Sequence, residues 1–281
     1  MFDKHPKGLI AAALANLGER FGFYTMMAIL VLFLQAKFGM NGKEAGFIYS
    51  TFYFSIYILA LVGGIIADKT RNYKGTIFTG IVLMAVGYLL LAIPSKTPVD
   101  NQTFYLVITC ASLFVIAFGN GLFKGNLQAL VGQMYDNPKY ASMRDSGFSL
   151  FYMFINIGAI FAPFAAVGVR NWWLSTFGYN YDADLPALCH GHLAGTLSPE
   201  ATETYHTLVE KASNAPLLEA YIAKPLYPVW ALTEDIWTIQ PFLRCNSILR
   251  IAYFVIIIGA NTLTAYIVSS FSSLRFVTIS S

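Results

Sequence analysis

A helix that crosses a bilayer needs about 20 mostly apolar residues. Six stretches of this sequence approach that length: 8–37, 45–67, 76–94, 104–131, 146–173 and 251–268. The last is the weakest, broken by Asn261 and Thr262. Apolar residues make up 56% of the chain and charged residues 12%, against about 45–50% and 25% in soluble domains. Because the excess is gathered into these runs, the expected fold class is all-α, a multi-spanning membrane helix bundle. The net charge of +3 is spread between the runs rather than gathered into a patch, which argues against nucleic acid as a partner. The first run is too long for a signal peptide and lacks a small-residue cleavage site, so it is expected to remain as the first span.

That first run carries a charged island, Asn16-Leu17-Gly18-Glu19-Arg20-Phe21-Gly22-Phe23-Tyr24. A charge at mid-membrane costs about 2.5–3.5 kcal/mol on insertion scales, so such residues face a cavity or a partner and mark a pathway. Asn16, Glu19, Arg20, Phe23 and Tyr24 follow i, i+3, i+4, i+7, i+8 and form one stripe of a helix. The plainer alternative is a structural pair that locks two helices together.

Three further runs carry polar stripes. The second has Tyr53 and Tyr57 one turn apart, and ends in Gly63-Gly64-Ile65-Ile66-Ala67-Asp68-Lys69. The small residues there permit close helix approach. The fourth has Asn120, Lys124 and Gln128 at successive turns. These face a wet cavity, unless Lys124 snorkels to the membrane surface. The fifth has Tyr152 and Asn156 one turn apart, then Pro163, a kink that membrane helices tolerate. Asn156 could equally be interhelical hydrogen-bond glue.

Basic residues set the topology. Lys4, Lys7, Lys69, Arg71, Lys74, Lys139 and Arg144 fall on one side, against Lys37, Lys43, Lys96 and Arg170 on the other. The richer side is cytoplasmic, which places the N-terminus there. Residues 1–173 then form membrane helices 1–5. Residues 174–250 form an extracytoplasmic loop region, and 251–281 a weak sixth helix and tail. Trp172 and Trp173 suit an interfacial anchor. Ser198-Pro199-Glu200 reads as a helix start running to about Ala212.

Other chemistries find little support. Cys110, Cys189 and Cys245 have no disulfide or zinc spacing. Cys189, His190 and His192 read as loop residues with no ligand role, since two histidines separated by one residue cannot share a helix face. No phosphate-binding glycine loop and no nucleophile–base set is visible. An enzyme is not expected, nor a metal or cofactor.

Together these motifs resemble the proton-dependent oligopeptide transporter (POT/PTR) family, a branch of the major facilitator superfamily. The first-helix motif Glu-x-x-Glu-Arg-Phe is matched from Asn16 to Phe21, and the fifth-helix motif Phe-Tyr-x-x-Ile-Asn-x-Gly by Phe151 to Gly158. Gly119-Asn120-Gly121-Leu122-Phe123-Lys124 looks like the helix 4 motif, and Gly64 to Asp68 like the superfamily's turn after helix 2. The likeness covers roughly residues 1–180. It implies the N-terminal six-helix half of such a transporter, multi-pass in the plasma (cytoplasmic) membrane and driven by a proton gradient with no cofactor. By the resemblance, Arg20 and Lys124 would meet a peptide carboxylate, and Tyr24, Tyr57 and Asn156 would bind the peptide backbone. Glu19 would be the proton-coupling group and Asp68 part of a conformational gate. The implied partners are small peptides, protons, the lipid bilayer and a second transporter half.

Two departures bear on that reading. Asn16 replaces the motif's first glutamate, which removes one titratable group, and Phe23 stands where a second tyrosine often lies. Family members have two six-helix halves with the substrate between them, and this chain offers one. The alternatives are a truncated, non-transporting membrane polypeptide whose last stretch is not family sequence, and a same-fold transporter of nitrate, an amino acid or another small anion.

Overall fold

The structure, a computed structural model, describes residues 4–93, 99, 101–175, 180, 182 and 184–212. Among these lie seven α-helices: α1 Lys7–Phe38, α2 Gly42–Thr70, α3 Tyr73–Leu91, α4 Gln102–Met134, α5 Arg144–Ser175, α6 Leu185–Ala194 and α7 Pro199–Ala212. The first five are long and apolar enough to cross a membrane. The described residues therefore form an all-α bundle of the multi-pass kind. The sixth apolar run, 251–268, and the stretch 213–250 lie outside the described residues, as do the side chains of Trp172 and Trp173.

Short polar turns start the helices. Asn41 Oδ1 accepts from the Lys43 and Glu44 amides at 3.0 and 2.9 Å, and Glu44 Oε2 accepts from the Asn41 amide at 3.1 Å. This reciprocal box satisfies amides that an α-helix leaves unpaired at its start. Asn72 caps α3 through the Gly75 amide and Asn101 caps α4 through the Phe104 amide, each at 3.0 Å. Gly39 ends α1 at φ 65°, a left-handed conformation that glycine adopts without steric cost.

Packing is uneven. α4 lies between α2 and α3, while α1 runs along α5 and touches α4 and α2 more lightly. The α4 contacts are backbone to backbone. A Cβ on Gly119 would come 2.6 Å from the Gly80 carbonyl oxygen of α3, and one on Gly121 would come 2.5 Å from the Leu59 carbonyl oxygen of α2. Small residues at such crossings let membrane helices gain close van der Waals contact. The outward faces of α2 and α5 stay apolar and open: Phe47, Phe54, Leu61, Phe161 and Phe164 are all exposed. Those faces suit hydrocarbon or another helix.

The stretch before Ser198 differs from the loop expected there. Residues 185–194 form α6, which buries Leu185 and Cys189. His190 Nε2 sits 2.8 Å from the Ala36 carbonyl oxygen at the end of α1. Pro186 in the first turn and Gly195 at φ 65° frame the helix. It forms because its apolar side has the end of α1 to cover, a fact no local pattern records. α7 begins where expected, with Ser198 Oγ accepting from the Ala201 amide at 3.2 Å.

Candidate functional site

The α4 glycines also aim the residue between them. Gly119 and Gly121 are roughly 200° apart on a helix of 3.6 residues per turn, one against α3 and the other against α2. Asn120 lies midway and points at α1, where its Nδ2 donates to Glu19 Oε1 at 2.7 Å. Arg20 completes the group: its Nε donates to Glu19 Oε2 at 2.5 Å and a terminal nitrogen to Oε1 at 2.8 Å. All three are buried, with Asn120 at 0%, Glu19 at 2% and Arg20 at 4% exposure. A carboxylate so enclosed is tolerable only because the two-pronged guanidinium and the amide replace its water. The guanidinium carbon also lies 4.9 Å from the Phe23 ring centre and 5.9 Å from that of Tyr24. Buried Tyr88 of α3 feels both charges.

One turn beyond Asn120, Lys124 is half-buried, with its Nζ 5.4 Å from the Tyr57 ring centre. That spacing is a cation–π contact. The Tyr57 and Tyr53 hydroxyls are 3.1 Å apart, and Tyr53 stacks on Tyr49. Lys124 feels the charges of Arg20 and Glu19, but no ion pair holds it to a carboxylate among the described residues. The group therefore sums to one surplus positive charge: Glu19 neutralises Arg20, and Lys124 stands beside them.

The structure thus brings together Glu19, Arg20, Tyr24, Tyr57 and Lys124. It does not bring Asn156 to them. Phe151 and Gly158 are buried, and Gly158 packs against the Leu17 carbonyl. Asn156 lies across the helix from both and is exposed, as is Tyr152. Asp68 is exposed at the α2–α3 turn, where Tyr73 Oη donates to its Oδ1 at 2.7 Å. Asn16, at the departure from the motif, is buried.

Sequence reasoning passed over two residues that matter here. Asn126 is buried, and its Nδ2 donates to the Gly63 carbonyl at 3.1 Å, tying α4 to α2. An asparagine inside an apolar run was the available signal. Tyr88, inside an apolar run of α3, carried no sequence signal beyond its hydroxyl. His190 and His192 diverge, as their spacing requires: His190 meets Ala36, and His192 stacks on Tyr205 at 4.6 Å. Burial pushes the Cys189 thiol up to about 12, so it stays protonated at neutral pH and makes a poor metal ligand or nucleophile.

Comparison with known proteins bears on this geometry. Residues 74–189 match the sequence model of the POT family. The peptide transporter YePEPT of Yersinia enterocolitica is 35% identical over 185 residues, which are 64% of this chain and 34% of that protein. Dipeptide and tripeptide permease A of an Enterobacter species is 34% identical over 179 residues, 63% of this chain and 32% of the permease. The crystal structure of a peptide transporter POT in complex with sulfate superposes with a TM-score of 0.52 at 26% identity, over 86% of this chain and 52% of that one. The chain spans about a third of the length of these curated relatives. Residues 74–189 are thus similar in sequence to the POT family, and the described helices are similar in fold to a POT peptide transporter.

Proposed function

We propose that this chain provides the N-terminal half of a secondary transporter that imports di- and tripeptides by proton symport with alternating access. The observation that carries the reading is the surplus positive charge at Lys124, half-buried beside a neutralised Glu19–Arg20 pair. A low-dielectric cavity strengthens the attraction of such a charge for an anionic group, here a peptide carboxylate. The names of the relatives favour a peptide over nitrate or a free amino acid. In this reading Arg20 and Lys124 take the carboxylate, and Tyr24 and Tyr57 bind the peptide backbone. Asn156 joins only when its exposed face borders the cavity of the assembled transporter. Glu19 is the proton-coupling group, because among the described residues it is the carboxyl group that pairs with Arg20 in the cluster that Lys124 borders. Asp68 works at the cytoplasmic gate between the two halves, which rock about a site at mid-membrane. The chain lies in the plasma membrane with its N-terminus in the cytoplasm, the partners being peptides, protons, lipid and a second transporter half. Transport rather than catalysis is the role.

The test is uptake of a labelled dipeptide into proteoliposomes holding the purified chain, with and without an inward proton gradient. Lys124→Gln serves as the control, because that side chain is half-buried and its loss spares the Glu19–Arg20 pair. Gradient-driven uptake that is lost in the control and competed by dipeptides supports the reading. Competition by nitrate or free amino acids instead would replace the substrate. Folded protein that neither binds nor moves dipeptide would overturn transport by this chain.

A further inference from the structure

The amide of Asn120 is half used. Its Nδ2 donates to Glu19, while its Oδ1 is fully buried and has no hydrogen-bond partner among the described residues. Buried polar atoms are rarely left this way, and each such case calls for an explanation. Around that amide, α1 presents Glu19, Arg20 and Tyr24, α3 presents Tyr88, and α4 itself adds Lys124, which faces Tyr57 of α2. α5 meets this part of α1 at a glycine, Gly158 against Leu17. Nδ2 also lies 4.0 Å from Met84 Sδ of α3.

We propose that Asn120 is a two-way partner for Glu19, donating to the carboxylate when Glu19 is ionised and turning its amide over to accept from the carboxyl O–H when Glu19 is protonated. This rests on the reading of Glu19 as the group that takes up the proton. An ionised carboxylate only accepts hydrogen bonds, whereas a protonated one also donates, and an asparagine amide can serve either because it carries a carbonyl and an NH2 group of nearly the same shape. In each state one end of the amide is paired and the other is not. The exchange therefore needs a half-turn about one side-chain bond and no movement of α1 or α4. A leucine could serve neither state, and a lysine only the ionised one. Asn120 is a positioning residue on this account, acting through Glu19. It gives Glu19 a neutral neighbour for both protonation states in a chain whose position 16 is asparagine.

The experiment is an infrared pH titration of the purified chain in lipid nanodiscs, with Glu19→Gln used to identify the Glu19 carboxyl band. In the native chain the protonated Glu19 band should lie at the lowered frequency of a hydrogen-bonded acid. In Asn120→Leu it should rise to the frequency of an acid bonded to Arg20 alone. Because that variant can disturb the α1–α4 contact, a second measurement uses the native chain alone. The side-chain amide signals of Asn120, followed by nitrogen-15 NMR and identified by their loss in Asn120→Ser, should shift over the same pH interval as the Glu19 band and stay fixed in Glu19→Gln. A Glu19 band at the unbonded frequency in the native chain overturns the proposal. So does an Asn120 signal indifferent to Glu19, or a Glu19 that takes up no proton. Both readouts are independent of transport. A chain that moves no dipeptide while its Asn120 and Glu19 signals change together would rule out transport by this chain alone and leave this proposal standing.

Discussion

α4 and α5 carry the same kind of polar pattern and come to opposite ends. Each places an asparagine in an apolar span beside glycines. On α4 the asparagines are enclosed, Asn120 at 0% and Asn126 at 2% exposure, because two neighbouring helices touch its backbone on opposite sides. On α5 the main seam among the described residues is against α1, and Asn156 lies on the open side. The lesson is that a polar residue in a membrane span takes its meaning from how many helices surround it. A helix flanked on two sides turns a polar residue into part of a network. A helix flanked on one side leaves it to the cavity, to lipid or to a further partner.

The comparison can be broken at its strongest point first. Arg20→Ala leaves the Glu19 carboxylate buried without its charged partner, and should cost about 3–5 kcal/mol at neutral pH. Denaturation in mixed micelles, followed by circular dichroism, reads this directly. Glu19→Ala with Arg20→Ala should recover part of the loss. If the double variant is no more stable than the single, the pair is not what holds the network.

Glycines supply the next contrast. Gly121→Ala puts a methyl group into the Leu59 carbonyl of α2, an overpacking that should cost about 1–3 kcal/mol. Gly168→Ala on α5 meets nothing within 4 Å, and should instead gain about 0.5–1 kcal/mol from helix propensity alone. Equal effects at the two sites, measured by the same denaturation, would mean that α4 is not wedged between its neighbours.

Smaller effects sharpen the asparagine comparison. Asn126→Ala removes the tie to the Gly63 carbonyl, and membrane interhelical hydrogen bonds average about 0.6 kcal/mol. Asn156→Ala should stay within about 0.5 kcal/mol, the usual range for an exposed site. An Asn156 variant that destabilises more than the Asn126 variant would show that the open side of α5 is covered.

Much of the fold was legible because the bilayer imposes it. Spans expected at 8–37, 45–67 and 104–131 correspond to helices Lys7–Phe38, Gly42–Thr70 and Gln102–Met134, since length and apolarity alone decide whether a segment can cross. The start of α7 at Ser198 was also readable, because an N-cap is a local contact. α6 was not readable. Its apolar residues gain from burial only once the end of α1 is beside them, and nothing within residues 185–194 announces that neighbour.

The candidate site divides along the same line. That Glu19, Arg20, Asn120 and Lys124 had to be sheltered followed from the sequence, because charges and amides inside apolar runs are expensive in hydrocarbon. The helical stripe holding Glu19 with Arg20 and the stripe holding Asn120 with Lys124 followed from periodicity alone. Which stripe meets which was decided by tertiary structure. Two glycines set α4 against α3 and α2, the residue between them was turned toward α1, and Asn156 was left facing outward. Periodicity describes one helix at a time, whereas the meeting of a carboxylate, a guanidinium and an amide depends on how closely three backbones can approach.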